Sequence, residues 1–192
     1  MRDNHYNDAK ALVSDFAASF NRFRNTTYMI FQYLVYGALG WLVETSYIYS
    51  IHDHFSRRGL INHGLPFIPL FGYGGLLIVS ILKRWKHRPI MLYILSVLLA
   101  SAIELFTALT NIYFFDRRSW SYSGMPFSYR GYIALPVSLA WGALIVFIIY
   151  IFEPYLYNIF ARSGPLMTGI VWALSCACVY CHCCDFLILL IK

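Results

Sequence analysis

Charge is scarce in this 192-residue chain, where Asp, Glu, Lys and Arg together make up 12% and only nine residues are acidic. With 59% hydrophobic residues and a mean hydropathy of +0.58, that scarcity excludes an ordinary soluble domain, whose surface draws on roughly 25% charged residues. Regular polar breaks are missing too. Several apolar runs exceed the roughly 15 residues that a soluble core helix tolerates. No secretory signal is expected, because residues 1–25 carry charge throughout and lack a compact apolar core with a small-residue cleavage site. There is no internal repeat, no low-complexity tract and no GxxxxGK[ST] phosphate loop. Neither a nucleophile elbow, nor HExxH, nor paired metal ligands occur, so no cofactor or metal is expected and catalysis is not the first reading. The formal net charge of +6 sits in the gaps between apolar runs rather than in a basic stripe with interleaved aromatics, which argues against a nucleic-acid partner.

Five apolar runs remain, at about 27–50, 65–82, 89–115, 132–152 and 165–191. Each matches the roughly 30 Å hydrocarbon layer at about 1.5 Å of rise per residue. Backbone amides in lipid must be satisfied within the segment, and the runs are too continuous for barrel strands, so helices are predicted. The fold class is therefore all-α, an integral membrane bundle of about five transmembrane helices. In the N-terminal segment, Ala9, Leu12, Val13, Phe16, Phe20 and Phe23 recur at spacings of three and four, which predicts an interfacial amphipathic helix over 1–25. Residues 26–192 are expected to form a single transmembrane domain.

Lys and Arg sort the connections into two sides. Arg2, Lys10, Arg22, Arg24, the KRWKHR stretch at 83–88 and Arg162 fall on one; Arg57, Arg58, Arg117, Arg118, Arg130 and Lys192 fall on the other. The excess predicts a cytoplasmic N-terminus. Glu44, Glu104 and Asp185 lie beyond the middle of their runs, and alternating direction is expected to bring them toward the side that carries loops 51–64 and 116–131. Because an intramembrane charge costs from about 2.5 kcal/mol upward, such acids usually face the bundle interior or pair. Arg58, Arg117, Arg118 and Arg130 are the nearest cations by topology. Asp185, close to the C-terminus, is expected to reach water.

His52, Asp53, His54 and His63 share one loop that reads as solvated rather than metal-binding. Cys176, Cys178, Cys181, Cys183 and Cys184 all occupy one predicted helix, so they cannot staple loops together. One helix can aim only two or three of them at a point, and small buried thiols are the expectation.

Several ordered motifs resemble a bacterial family of small multi-pass proteins labelled ABC-transporter permeases. They are GALGWLVETSY (37–47), RRG with HGLPFIPLFGYG (57–74), Glu104 followed by SWSYSGMPFSYRGYIAL (119–135), and SLAWG (138–142). The matching positions are Gly40, Trp41, Glu44, Arg58, Gly59, Pro66, Pro69, Gly72, Gly74, Glu104, Trp120, Tyr122, Ser123, Pro126, Phe127, Gly131, Trp141 and Gly142. Two family acids are missing: Ser121 stands where the Trp-Trp-Asp-Tyr-Ser run has Asp, and Ile112 replaces an acid after Glu104.

The resemblance implies a transporter component in the bacterial cytoplasmic membrane, surrounded by membrane lipid and served by a separate ATPase subunit or by further copies of itself. Segment 153–164 has amphipathic spacing at Tyr155, Leu156, Ile159 and Phe160 that suits docking of a partner or contact with lipid. The expected site has Glu44 and Glu104 as buried acids, Arg58 as counter-charge or anion anchor, and Trp120, Tyr122 and Phe127 as a lid. The alternative is a membrane-embedded enzyme or regulator that binds a lipid headgroup through the same groups.

Overall fold

The computed structural model describes residues 2–52 and 59–191, with side chains for 12–50, 59–114 and 116–185. Helix α1 runs unbroken over Arg2–His52. The amphipathic segment and the first apolar run are therefore one helix, about 76 Å long at 1.5 Å per residue. A 3₁₀ turn (Gly59–His63) leads to α2 (Pro69–Leu82), and a second 3₁₀ turn (Lys83–Trp85) leads to α3 (Pro89–Phe115). Two short strands, β1 (Ser128–Tyr129) and β2 (Ile133–Ala134), pair antiparallel. They feed α4 (Leu135–Phe147), which continues through a π-helical stretch (Ile148–Phe152) into α5 (Glu153–Arg162). The last helix, α6, spans Pro165–Ile191.

The all-α class is observed. Among the described residues, three helices are long and apolar enough to cross a membrane: Pro89–Phe114, Leu135–Arg162 and Pro165–Asp185. The other two apolar runs take different forms. The first is embedded in the longer and more polar α1, while the second contributes only the 14 residues of α2, about 21 Å.

Proline marks where the helices start. Pro69 and Pro89 open α2 and α3, and Pro136 lies in the first turn of α4, positions where a missing N–H removes no helical bond. Pro154 is different, because it sits inside the continuous helix from Leu135 to Arg162. It cannot donate to the carbonyl one turn back, and the wider π turn just before it gives the ring room. Segment 153–164 is consequently not a separate connection. Only Ser163 and Gly164 separate this helix from α6.

Tertiary contacts divide the chain into two compact units, Met1–Gly72 with Phe160–Lys192, and Tyr73–Ile159. In the first unit, α1 packs on α6. Phe23 stacks on Trp172 with centroids 6.0 Å apart, the Trp172 indole N–H donates to Thr27 Oγ1 at 3.3 Å, and Arg24 donates to the Ala161 carbonyl at 3.1 Å. Phe160 lies against Tyr28 and Phe31. Within the N-terminal apolar stripe, Leu12, Val13, Phe16 and Phe20 remain exposed.

Close approach through glycine fixes the rest of this unit. A Cβ on Gly37 would fall 2.1 Å from the Phe67 ring, and one on Gly40 would fall 2.2 Å from the Phe71 ring. The Ile68 amide donates to the Gly37 carbonyl at 3.1 Å, tying the entrance of α2 to α1.

In the second unit, α3 and α4 form an antiparallel hairpin. Ser101 Oγ donates to Ser138 Oγ at 2.8 Å. One turn further along, Gly142 faces Val97, where an added Cβ would lie 2.3 Å from Cγ2. At the far end the Tyr150 hydroxyl donates to the Lys86 carbonyl. These pairs set a register in which Leu135, the first residue of α4, is level with Glu104. The last stretch of α3, Leu105–Phe115, therefore runs about 16 Å past the start of α4. Loop 116–134 packs back along that overhang.

Candidate functional site

Loop 116–134 begins with a left-handed cap. Asp116, at φ 46°, ends α3 by donating to the Ile112 carbonyl at 3.1 Å. The chain then folds back on a frame of its own hydrogen bonds. The Trp120 indole donates to the Tyr132 carbonyl at 2.9 Å, and the Tyr122 amide donates to the Gly131 carbonyl at 2.9 Å. Arg118 donates to the carbonyls of Trp120 and Arg130 and lies over the Tyr132 ring, 5.2 Å from its centroid. Gly131 takes φ +73°, and a Cβ there would meet Arg118, Ser123 and Ser121 within 3.0 Å.

This frame delivers Tyr122 to the acid of α3. Its hydroxyl donates to Glu104 Oε1 at 2.7 Å. The Trp141 side chain, on α4, is a second hydrogen-bonding neighbour of the same carboxylate. Glu104 Oε2 is buried and has no hydrogen-bond partner among the described residues. Close by, Ser101 and Ser138 bridge the two helices. The result is one carboxylate between two neutral donors at the head of α4, with one oxygen still available to a proton or a cationic group.

The other expected site residues fall in different places. Arg118, one of the cations expected near the acids, is committed to holding the loop, and Arg130 lies over Tyr129. Trp120 is half-buried and braces the loop. Phe127, at φ 52°, turns outward and is 83% exposed, so its ring covers nothing in this unit. Arg58 lies outside the described residues.

Glu44 belongs to the first unit and is half-buried on α1. Trp41 and Thr45 stand three residues before it and one after, and Trp41 Nε1 and Thr45 Oγ1 are buried without a partner among the described residues. Each acid is thus described within its own unit, with its own polar neighbours.

Of the remaining motif positions, Gly40 and Gly72 allow ring and backbone contact, Gly72 against Tyr33. Gly59 permits the approach of Phe67, and Gly142 the approach of Val97. Nothing lies within 4 Å of a Cβ built on Gly74. Pro69 opens α2, while Pro66 precedes it in the loop. Ser123 Oγ hydrogen-bonds Ser121 Oγ at 2.8 Å, and Pro126 precedes the outward-turned Phe127.

Sequence reasoning placed Trp141 among structural positions, whereas it touches the acid. The signal was available in principle, since a buried indole N–H in an apolar helix needs an acceptor. The contact between His63 Nε2 and Asp185 Oδ1, at 2.7 Å, was not foreseen. The Asp185 side chain is 50% exposed. The cysteines divide as one helix must divide them: Cys178 and Cys181 are buried, Cys184 is half-buried, Cys176 and Cys183 are exposed, and all five are free thiols.

A family model described as "Putative ABC-transporter type IV" matches residues 31–190. The chain belongs to this family. The match begins within α1, at the apolar run rather than at the amphipathic stripe, and takes in the Glu104 cluster and both compact units. No curated protein and no solved structure matches the chain. Family membership and three helices long and apolar enough to cross a bilayer fit a membrane protein.

Proposed function

We propose that this chain is the multi-pass membrane component of a transporter, seated in a bacterial cytoplasmic membrane with its N-terminus inside, and powered by a separate ATPase subunit. These 192 residues hold no phosphate loop, and in this reading the ATPase subunit supplies nucleotide hydrolysis. The observation that carries the reading is Glu104, with Oε1 held by Tyr122 and Oε2 buried and open. An acid in an apolar helix is expensive to keep there, and a proton or a cationic substrate group on Oε2 supplies the missing partner. The second acid, Glu44, contributes a polar station on α1 beside the Trp41 and Thr45 donors. The exposed face of α5, at Tyr155, Tyr157 and Ile159, is the docking element on the inner side.

Uptake or efflux measured in sealed vesicles, with the native membrane's ATPases co-expressed, tests this. Glu104→Gln should abolish solute or proton flux and Tyr122→Phe should reduce it several-fold. Flux unchanged in Glu104→Gln defeats the reading. A second reading, recognition of an anionic lipid headgroup, draws support from the exposed Arg117 and Arg130 in the loop that also carries the outward-turned Phe127. Turnover or selective retention of anionic lipid by the purified protein, lost in Arg130→Gln but not in Glu104→Gln, would favour that alternative.

A further inference from the structure

The stretch from Gly59 to Phe67 holds a single 3₁₀ turn and no strand pairing, and it bonds back on itself. Leu60 N donates to the Phe67 carbonyl at 2.8 Å, Leu65 N to the Leu60 carbonyl at 3.1 Å, and Gly64 N to the Ile61 carbonyl at 2.9 Å. Gly59 at φ +72° and Gly64 at φ +79° supply the left-handed turns that close it. Such a loop is a compact body that keeps its own hydrogen bonds wherever it sits.

Its apolar side points at α6. Leu60, 2% exposed, and Phe67, 4% exposed, form a buried cluster with Cys178 and Cys181. Its polar side carries the His63–Asp185 contact at 2.7 Å, with side chains 27% and 50% exposed. Backbone bonding from its far end to a neighbour is through Ile68 N and the Gly37 carbonyl, one residue beyond the loop.

We infer that Gly59–Phe67 is a plug that lifts from α6 as a body, latched by His63 and Asp185, and that lifting it uncovers Cys178 and Cys181. Three features combine to give this. Lifting breaks none of the internal backbone bonds. The latch is a single, partly exposed contact, so it opens more readily than a fully buried pair. Beneath it lie two thiols and apolar contacts rather than a polar network, and Phe67 leaves its seat against Tyr33 and Gly37 of α1 together with the loop. The inference rests on the first unit alone and is independent of the transport reading, which rests on Glu104 in the second.

The molecule carries its own reporter. In a variant retaining Cys181 as the one native thiol, with Cys176, Cys178, Cys183 and Cys184 changed to Ser, a water-soluble maleimide reports how often the plug is open. The purified full-length protein in detergent micelles should label slowly. His63→Ala and Asp185→Asn should each raise the rate about three- to tenfold, and His63→Asp combined with Asp185→His should bring it back. An increase below twofold in both single variants overturns the latch.

Unfolding is separated from lifting by a second thiol. Ser96→Cys, at a fully buried position of α3, must stay protected in the same variants. If it becomes reactive in parallel with Cys181, the plug model is wrong. As an independent check, Leu60→Cys should form an oxidant-induced disulfide with Cys181 quickly when the latch is intact and more slowly in His63→Ala. Equal rates in the two backgrounds would also overturn the inference.

Discussion

Replacing Gly37 by Ala sets two effects against each other, and the structure says which wins. In a helix, Gly→Ala stabilises by up to about 1 kcal/mol through lost backbone entropy in the unfolded chain. At Gly37 the new methyl would stand 2.1, 2.4 and 2.7 Å from Cε2, Cζ and Cδ2 of Phe67. That ring cannot simply turn away. It is 4% exposed, meets Tyr33 edge-on at 5.1 Å, and sits one residue before the Ile68 amide that is bonded to the Gly37 carbonyl. Overpacking of this kind costs about 1–3 kcal/mol, and undocking Phe67 instead would lose about 1.5–3 kcal/mol of burial. The net effect is a loss of about 0–2 kcal/mol after the helix gain is subtracted, centred near 1, or roughly 2–4 °C in Tm for a chain of this size.

The internal control is Gly169→Ala on α6, where nothing lies within 4 Å of the new methyl, so only the helix gain remains. Thermal unfolding in detergent, followed by dye-free fluorescence or by loss of the monodisperse chromatographic peak, reads both. Gly37→Ala should lower Tm, Gly169→Ala should raise it or leave it unchanged, and Gly37→Ala with Phe67→Leu should recover part of the loss. The packing argument fails if Gly37→Ala and Gly169→Ala shift Tm upward by the same amount.

Three further outcomes are expected. Ser101→Ala and Ser138→Ala should each cost about 1 kcal/mol, with a coupling of about 0.6 kcal/mol in a double-mutant cycle, measurable by steric trapping or denaturant titration. Trp120→Phe keeps the ring but removes the bond to the Tyr132 carbonyl, and should speed proteolytic nicking of loop 116–134 a few-fold while leaving the helices intact. Gly142→Val, which drives a branched side chain into Val97, should lower Tm by several degrees, and Val97→Ala in the same chain should restore part of it.

Much of this architecture could be read from hydropathy, because lipid imposes one solution on the backbone. The run at 89–115 appears as α3 over Pro89–Phe115, and the run at 165–191 as α6 over Pro165–Ile191. Helix limits were harder where chemistry is not hydrophobic. The predicted start at Tyr132 moved to Leu135 because Ile133 and Ala134 pair with loop residues, and the predicted end at Phe152 moved to Arg162 because a π turn absorbs Pro154. The candidate acid on α3 was visible as a charge in an apolar run, but its surroundings were not. Tyr122 reaches Glu104 only because the Arg118, Trp120 and Gly131 frame folds the loop back, and no spacing rule encodes that. His63 and Asp185 lie 122 residues apart in the chain, a separation that periodicity cannot bridge.

The offset between α3 and α4 bears on the lipid as well as on the acid. Their shared length, Pro89–Glu104 against Leu135–Tyr150, is about 24 Å, shorter than a typical hydrocarbon layer of about 30 Å. Beyond it the two helices part, with Phe106, Leu109 and Phe114 exposed on one overhang and Ile151 and Tyr155 on the other. The greasy band around this hairpin therefore runs obliquely to the helix axes. Leaning of the pair would bring that band level, and each Å of remaining mismatch costs a fraction of a kcal/mol. Bilayer thickness thereby becomes a variable that bears on how deep Glu104 sits.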